Sequence, residues 1–224
     1  MKEYDKQDKK HMSADLFTRR REGKSMRIHD ISQEVFGCEV YPGDPRPERE
    51  IKLKMSDGAM YNLSAFRMCA HNGTHVDAPL HFIDGAKSID QVDMDRFIGY
   101  AYVAAHEGEI LAEDAERMLR AAAACDERAA ERILVKGKAT VTAEAAKVFA
   151  ERHIKLFGNE SQSVGPEDAP MEVHRIMLGA EIVLLEGIRL ADVEEGVYLL
   201  HAAPLNLGGA EGAPCRATLI REDP

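Results

Sequence analysis

Apolar positions along the chain are arranged differently in its two halves. Before residue 98, three segments show partial apolar–polar alternation or β-branched residues and are predicted to be strands: 27–32, 50–55 and 61–70. After residue 98, short apolar runs alternate with longer Ala- and Glu-rich runs, which favour helices. Strands followed by alternating helices and strands are typical of a single mixed α/β domain.

The second half is predicted to contain three helices and six strands. Thr142 precedes one of the helical runs and is a good N-cap residue for it. The predicted helices are 111–128, 143–153 and 171–178, and the predicted strands are 101–105, 133–135, 154–157, 182–185, 197–202 and 217–221.

Length and composition are consistent with one domain. The 224 residues include 45% hydrophobic residues, which is enough to form a core. Residues 1–25 are charged and polar with little periodicity, so they are predicted to form a flexible tail that precedes a domain over residues 26–224.

The charge balance excludes several classes of partner. With 29 Lys+Arg against 39 Asp+Glu, the net charge is −10, which is unsuited to binding a nucleic-acid backbone. Neither a bilayer-spanning apolar run nor a signal peptide is recognisable, so no membrane partner is expected.

The four cysteines are far apart, which indicates free thiols in a reducing compartment. We therefore expect a cytoplasmic protein.

The segment with the clearest chemistry is HNGTHVDAPLHF, residues 71–82, which contains three histidines and one aspartate. Imidazole and carboxylate are the usual ligands of zinc and related ions. Gly73 allows a sharp turn and Pro79 fixes a backbone angle, so an irregular loop could direct His71, His75 and Asp77 to one point. A lone histidine in a loop is usually a surface or core residue, but this cluster predicts a metal or catalytic site.

This segment resembles the signature of the cyclase family of metal-dependent hydrolases, which includes bacterial kynurenine formamidases and isatin-hydrolase-like enzymes. The resemblance extends to the turn that begins at Tyr41, to His174 followed by Glu186, and to the closing segment 203–217. It therefore covers residues from about 27 to 221. It implies a single mixed α/β domain with a loop-borne metal site.

The resemblance also implies a role for each matching residue. His71, His75 and Asp77 would hold one divalent metal, and Asp77 would bridge to a second that His174 and Glu186 complete. One or two ions per chain are implied, zinc first and manganese as an alternative. The remaining implied roles are acid/base catalysis by His81 and substrate contact by Tyr41. A homodimer or homotetramer is also implied.

The resemblance implies hydrolysis of a C–N amide bond in a small molecule by metal-activated water. The first hypothesis is conversion of N-formylkynurenine to kynurenine and formate, a step of tryptophan catabolism. The second is opening of a lactam or lactone such as isatin, because Tyr41 stands where formamidases tend to carry Trp and Glu160 where the family often has Asp. A non-catalytic metal-binding domain is the third hypothesis.

Overall fold

The computed structural model describes residues 25–222. The predicted polar tail, residues 1–25, lies outside this range except for its last residue, so the tail remains a prediction. Among the described residues, no helix is long and apolar enough to cross a membrane.

The described chain contains thirteen strands and three α-helices. The strands are β1 (Met26–Asp30), β2 (Glu48–Leu53), β3 (Leu63–Arg67), β4 (His75–Asp77), β5 (Ile98–Ala105), β6 (Gly108–Ile110), β7 (Arg132–Lys136), β8 (Ala139–Val141), β9 (Leu156–Asn159), β10 (Val183–Glu186), β11 (Gly196–His201), β12 (Gly212–Pro214) and β13 (Thr218–Glu222). The helices are α1 (Ala112–Cys125), α2 (Ala143–Glu151) and α3 (Met171–Gly179).

Nine of these strands form one mixed sheet in the order β1-β13-β11-β5-β7-β9-β10-β4-β12. The central pairs β5–β7, β7–β9 and β9–β10 are parallel, and the pairs on either side of them are antiparallel. This architecture confirms the predicted single mixed α/β domain. Two small sheets, β2–β3 and β6–β8, complete the fold.

The sheet separates two apolar cores. Because side chains alternate along a strand, Leu134 of β7 packs in one core while its neighbours Ile133 and Val135 pack in the other. The second core also contains the buried residues of all three helices, including Phe149 of α2. The strands of the parallel centre are therefore apolar on both sides, as expected for a covered sheet.

Most predicted elements exist, with shifted ends. The Thr142 hydroxyl accepts a hydrogen bond from the Ala145 N–H, 3.2 Å away, which confirms the predicted N-cap of α2. The strand predicted at 154–157 is β9 and begins two residues later, because His153 adopts a positive φ of 52° and the chain has to turn after the helix.

Four short strands were absent from the sequence prediction: β4, β6, β8 and β12. Each has only three residues, too few to display an alternating pattern. β4 corrects the prediction of a wholly irregular loop around the histidine cluster. His75 and Asp77 lie in a strand because Val76, fully buried between them, packs in the first core.

The β2–β3 hairpin projects from the domain. All residues of both strands are exposed, including Ile51, Leu63 and Phe66. A two-stranded hairpin with apolar residues on its surface is marginally stable by itself.

Candidate metal centre

β4 carries two of the predicted site residues and lies between β10 and β12 in the large sheet. His75 pairs with Glu186 of β10, and Asp77 pairs with Leu184. Leu184 packs in the core that contains the helices, and Glu186 is two residues further along the same strand. The alternation of side chains therefore places Asp77 and Glu186 on the helical side of the sheet.

Turns on either side of β4 supply His71 and His81. Gly73 adopts a positive φ of 65°, which permits the chain to reverse between His71 and His75. Pro79 begins the short 3₁₀ turn Pro79–His81. The centre is therefore borne partly by a loop and partly by a strand.

α3 supplies the fourth histidine. His174 is 3% exposed and lies on the face of α3 that packs against the sheet, with Val173, Met177 and Leu178 also buried. Its neighbours in sequence did not indicate this position. The structure thus brings together residues that are about 100 positions apart in the chain.

The donor atoms of the five predicted ligands converge. The Nε2 atom of His75 is 3.4 Å from Oδ1 of Asp77 and 3.4 Å from Oε2 of Glu186. The Nε2 atom of His174 is 3.3 Å from Oε1 of Glu186 and 3.8 Å from Oδ2 of Asp77. The Nδ1 atom of His71 is 2.8 Å from Oδ1 of Asp77. Asp77 thus has nitrogens of His71 and His75 beside its Oδ1 atom and a nitrogen of His174 beside its Oδ2 atom.

Backbone carbonyls orient two of the imidazoles. The Nδ1 atom of His75 is 2.9 Å from the Gly73 carbonyl oxygen, and Nδ1 of His174 is 2.8 Å from that of Pro170. A carbonyl oxygen can only accept, so each Nδ1 carries the proton and each Nε2 presents a lone pair when the ring is neutral. This is the arrangement in which histidine binds a metal through Nε2.

Close contact between these groups shifts their pKa values. Burial alone would lower the pKa of His75, but hydrogen bonds to Asp77 and Glu186 raise it to about 10. Burial is likewise outweighed for His71, whose pKa is raised by Asp77, and for His174, whose pKa is raised by Glu186. The histidines hold the pKa of the Asp77 carboxyl well below its usual range, although burial opposes this.

The residues present fit a divalent metal. Asp77 is 1% exposed, and its Oδ2 atom has no hydrogen-bond partner within residues 25–222. A buried carboxylate oxygen without a partner is costly, and a cation would satisfy it. Two triads have donor atoms within 4.8 Å of one another: His75 with Asp77 and Glu186, and His71 with Asp77 and His81. The five predicted ligands comprise the imidazoles of His71, His75 and His174 and the carboxylates of Asp77 and Glu186. This donor set is suited to zinc or manganese.

His81 differs from the other histidines of the centre. Its ring stacks on that of His71, with 4.0 Å between ring centroids, and meets Phe82 edge-on at 4.6 Å. Burial lowers the pKa of His81, and the opposing effect of the Asp77 carboxylate is smaller. At neutral pH this imidazole is therefore uncharged and able to accept a proton.

The centre opens into a cavity of about 240 Å³ that Tyr41, Asp44, His81 and Phe82 help to line. A second cavity of about 600 Å³ shares Tyr41, Gln162 and Ser163 with it. The Tyr41 hydroxyl donates to the Glu167 carbonyl oxygen at 2.9 Å, so its proton is already engaged. Tyr41 presents its ring to the cavity rather than a free hydroxyl donor.

Several residues that the sequence did not single out also build the centre. The N–H of Val164 donates to Oε1 of Glu186 at 2.8 Å and fixes that carboxylate. Glu211 approaches the outer nitrogen of His71, and a methyl group at Gly212 would lie only 2.7 Å from Cε1 of His71. Val164 carries no motif, and Glu211 and Gly212 lie in the closing segment 203–217, for which the resemblance implied no role of individual residues.

A family model and several individual proteins match this chain over most of its length. The Cyclase family model, described as "Putative cyclase", matches residues 25–166. The kynurenine formamidase of Erythrobacter litoralis is 31% identical over 215 residues, which span 88% of this chain and 95% of that protein. Cyclase-like protein 1 of Arabidopsis thaliana is 31% identical over 217 residues, spanning 87% and 85% respectively.

Solved structures share the fold. A protein described as a potential metal-dependent hydrolase with cyclase activity has a TM-score of 0.74 at 25% identity, covering 89% of this chain and all of that one. Isatin hydrolase A from Labrenzia aggregata also has a TM-score of 0.74, at 21% identity, covering 88% of this chain and 94% of that one.

Proposed function

Because the chain belongs to the cyclase family, we propose that it is a metal-dependent hydrolase that cleaves a C–N amide bond in a small molecule. Contacts of 2.8–3.8 Å link three imidazoles and two carboxylates around the buried Asp77, and this is the observation that carries the proposal. Relatives named kynurenine formamidase, at about 31% identity over nearly their full length, support the reaction class.

His71, His75 and Asp77 would hold one ion, and His174 and Glu186, together with Asp77, would hold a second. We propose zinc as the first candidate and manganese as the second, because the donors are imidazole and carboxylate. A bound divalent metal would lower the pKa of an attacking water molecule and polarise the substrate carbonyl. The protein supplies the rigid placement of its ligands and exclusion of bulk water.

His81 is proposed to move the proton. Its pKa is lowered, so the neutral ring can accept a proton from the attacking water and return it to the departing nitrogen. The leaving amine then departs neutral, and the other product is a carboxylic acid. The ring lies at the cavity wall beside His71 and Phe82, where a substrate can reach it.

N-formylkynurenine is the first candidate substrate, which would place the enzyme in tryptophan catabolism. The aromatic faces of Tyr41 and Phe82 on the cavity wall suit an aryl formamide. Opening of a lactam or lactone is the second candidate. It is favoured by the engaged Tyr41 hydroxyl, which leaves an apolar ring face for a flat bicyclic substrate.

The first experiment combines elemental analysis with hydrolysis assays on one sample of protein purified without added metal or chelator. We expect one or two zinc or manganese ions per chain and release of formate from N-formylkynurenine. Metal with turnover of isatin or another lactam instead would select the second candidate. Protein that binds neither zinc nor manganese after both are supplied would falsify the metal-centre proposal.

We also propose that the chain forms a homodimer or homotetramer through the β2–β3 hairpin. This hairpin exposes Ile51, Met60 and Phe66, with Met60 93% exposed, and a second copy would cover them. Light scattering after size-exclusion chromatography is expected to give two or four times the chain mass of 24.8 kDa for the wild type. The double variant Ile51→Ser, Phe66→Ser is expected to be smaller, whereas a monomeric wild type would contradict the proposal.

A cytoplasmic location is proposed from the cysteines. Cys38, Cys69, Cys125 and Cys215 are all free thiols, and Cys38 and Cys215 are held in packed surroundings. Free thiols are typical of reducing compartments. Cell fractionation with an antibody to the native protein tests this location.

A further inference from the structure

His71 is oriented differently from the other two proposed imidazole ligands. His75 and His174 each direct Nδ1 to a backbone carbonyl, whereas both nitrogens of His71 face carboxylates. Its Nδ1 is 2.8 Å from Oδ1 of Asp77, and its Nε2 is 3.4 Å from Oε1 of Glu211. An ionised carboxylate only accepts hydrogen bonds, and a neutral imidazole has a single N–H to donate.

The two nitrogens can therefore be assigned once a metal is considered. If Nδ1 binds an ion together with the adjacent Asp77 oxygen, the proton of the ring must be on Nε2. Within residues 25–222, the charged group that Nε2 approaches is the Glu211 carboxylate. Nε2 of His71 has no hydrogen-bond partner within that range, although it is inaccessible to water, and the Glu211 oxygen 3.4 Å away is the acceptor that a small movement would bring into hydrogen-bond geometry.

The backbone holds Glu211 at this position. Its carbonyl oxygen accepts a hydrogen bond from the Ala78 N–H at 2.9 Å, and the next residue, Gly212, pairs with Asp77 in the β4–β12 ladder. Gly212 has no side chain, so the His71 ring packs directly on the strand, and His81 stacks on the ring at 4.0 Å. Segment 211–212 thus lies against His71 through the Glu211 carboxylate and the backbone of Gly212.

We propose that Glu211 is the positioning residue for His71: its carboxylate accepts the Nε2 proton and fixes the tautomer that offers Nδ1 to the metal. This inference rests on the proposed function, in which His71 is a ligand. Carboxylates that orient ligand histidines in this way typically change metal affinity 10- to 100-fold when removed.

The test compares Glu211→Ala, Glu211→Gln and a control, Glu172→Ala. Glu172 is exposed in the first turn of α3, two residues from His174, so its removal changes the net charge near the centre by the same amount. The zinc dissociation constant is measured by competition with a chelator, and the melting temperature of the metal-free protein is measured alongside. Proton NMR of the zinc-loaded protein reports the Nε2 proton of His71.

We expect Glu211→Ala to weaken zinc binding about 10- to 100-fold and to abolish the slowly exchanging His71 Nε2 proton signal. Glu211→Gln keeps an acceptor oxygen and is expected to recover part of the affinity. Glu172→Ala is expected to change the dissociation constant less than threefold. All three metal-free proteins should melt within a few degrees of the wild type.

Two results with the variants would overturn the inference. One is an unchanged dissociation constant in Glu211→Ala. The other is an equal loss of zinc affinity in Glu211→Ala and Glu172→Ala, which would show that Glu211 acts only through its negative charge. A wild type that binds zinc tightly but hydrolyses no amide contradicts the proposed reaction alone and leaves this measurement decisive. A wild type that binds no divalent ion overturns both proposals.

Discussion

Four histidines meet at the centre, and only His81 has a lowered pKa, whereas those of His71, His75 and His174 are raised. The contrast has a structural cause. His71, His75 and His174 each have a carboxylate oxygen beside a ring nitrogen, which raises the pKa of the ring. Burial is the main influence on His81 and lowers its pKa. A group that stays neutral at pH 7 is suited to proton transfer, whereas an imidazole held between carboxylates would exchange its proton for a metal ion.

Replacing His81 by Ala is therefore expected to lower kcat by about 10²- to 10⁴-fold, the usual contribution of an acid/base group. Metal content should remain at the wild-type value, because the five proposed ligands are untouched. Elemental analysis and a hydrolysis assay on the same sample check both statements. His106→Ala is the matched control, because it removes a histidine whose Nε2 atom lies beside the Glu109 carbonyl oxygen and Asp114 rather than beside a proposed ligand. Full activity in His81→Ala would remove its proposed role.

Gln162 carries the next prediction at the residue scale. Both polar atoms of its amide are buried, and neither has a hydrogen-bond partner within residues 25–222. Burying an unsatisfied amide costs about 1–3 kcal/mol, so Gln162→Met is expected to raise the free energy of unfolding by about 1 kcal/mol. Urea denaturation measures this change. The control is Gln33→Met. The Gln33 amide donates a hydrogen bond to the Gly187 carbonyl oxygen and accepts one from the backbone N–H of Glu39.

Gln33→Met should lower stability. A loss of stability in Gln162→Met as well would mean that its amide is satisfied in solution.

The sequence indicated part of this centre and missed the rest for a definite reason. His71, His75, Asp77 and His81 lie within eleven residues, so their spacing is visible. His174 and Glu186 are isolated, and without the family resemblance they would pass for a helix-surface residue and a strand-end charge. Glu211 acts across a strand pair, which a local pattern does not reveal.

At the scale of elements, the segment that follows β9 links the centre to the rest of the sheet. Oε2 of Glu160 accepts from the Gly137 N–H at 2.6 Å, and its Oε1 accepts from the Leu190 N–H at 2.8 Å. Four residues later, Val164 donates to Glu186. Glu160 thus holds in place the segment whose Val164 N–H orients the proposed ligand Glu186. The sequence analysis noted Glu160 only because the family often has Asp at that position.

Glu160→Ala is expected to lower the free energy of unfolding by about 2 kcal/mol, because two backbone donors lose a charged acceptor. It should also weaken metal binding, since the Val164 donor is no longer held in place. Glu160→Gln retains one acceptor oxygen and should lose about half as much stability. Chemical denaturation and chelator competition give the two quantities.

The control for this change is Glu107→Ala. Its carboxylate accepts from the Lys138 N–H at 3.1 Å in the same turn but lies away from the centre. Metal affinity should be unaffected in Glu107→Ala. An equal loss of metal affinity in both variants would contradict the role assigned to the Glu160 segment.

Elements longer than five residues were largely predictable, and the shortest ones were not. Helices α1, α2 and α3 appear where their composition and the Thr142 cap indicated. β4 and β12 escaped prediction because three residues show no periodicity, and their pairing joins positions far apart in the chain.

At the scale of the whole molecule, the fold class followed from the sequence and the strand order did not. Alternating apolar runs and helices predict a mixed α/β domain, but the insertion of β4 between β10 and β12 depends on contacts across more than 100 residues. The net charge of −10 gave no indication of this buried cluster, in which histidines and carboxylates neutralise one another.

This cluster makes the stability of the metal-free protein depend on pH. The pKa of His75 is about 10 in the folded state against 6.5 ordinarily, so its protonation stabilises the fold fully below pH 6.5. That contribution is lost as the pH rises from 6.5 through about 10. The melting temperature of chelator-treated protein is therefore expected to fall between pH 7 and pH 10, while zinc affinity rises because fewer protons must be displaced.

Scanning fluorimetry at pH 6, 8 and 10, with and without zinc, measures both trends. His75→Asn should flatten the decline of the metal-free protein. An unchanged melting temperature of the wild type from pH 7 to pH 10 would show that His75 is already neutral at pH 7.

The position of β4 in the sheet also has a consequence during protein synthesis. The partner strand β12 follows β4 by roughly 130 residues in the chain. At 5–20 residues per second, a ribosome takes on the order of ten seconds to make that stretch. Its other partner strand, β10, follows β4 by more than 100 residues, so the histidine-rich segment is without both partner strands for most of this interval. The proposed ligands His174 and Glu186 are also made late in this interval, so the complete proposed centre would form only on a nearly finished polypeptide.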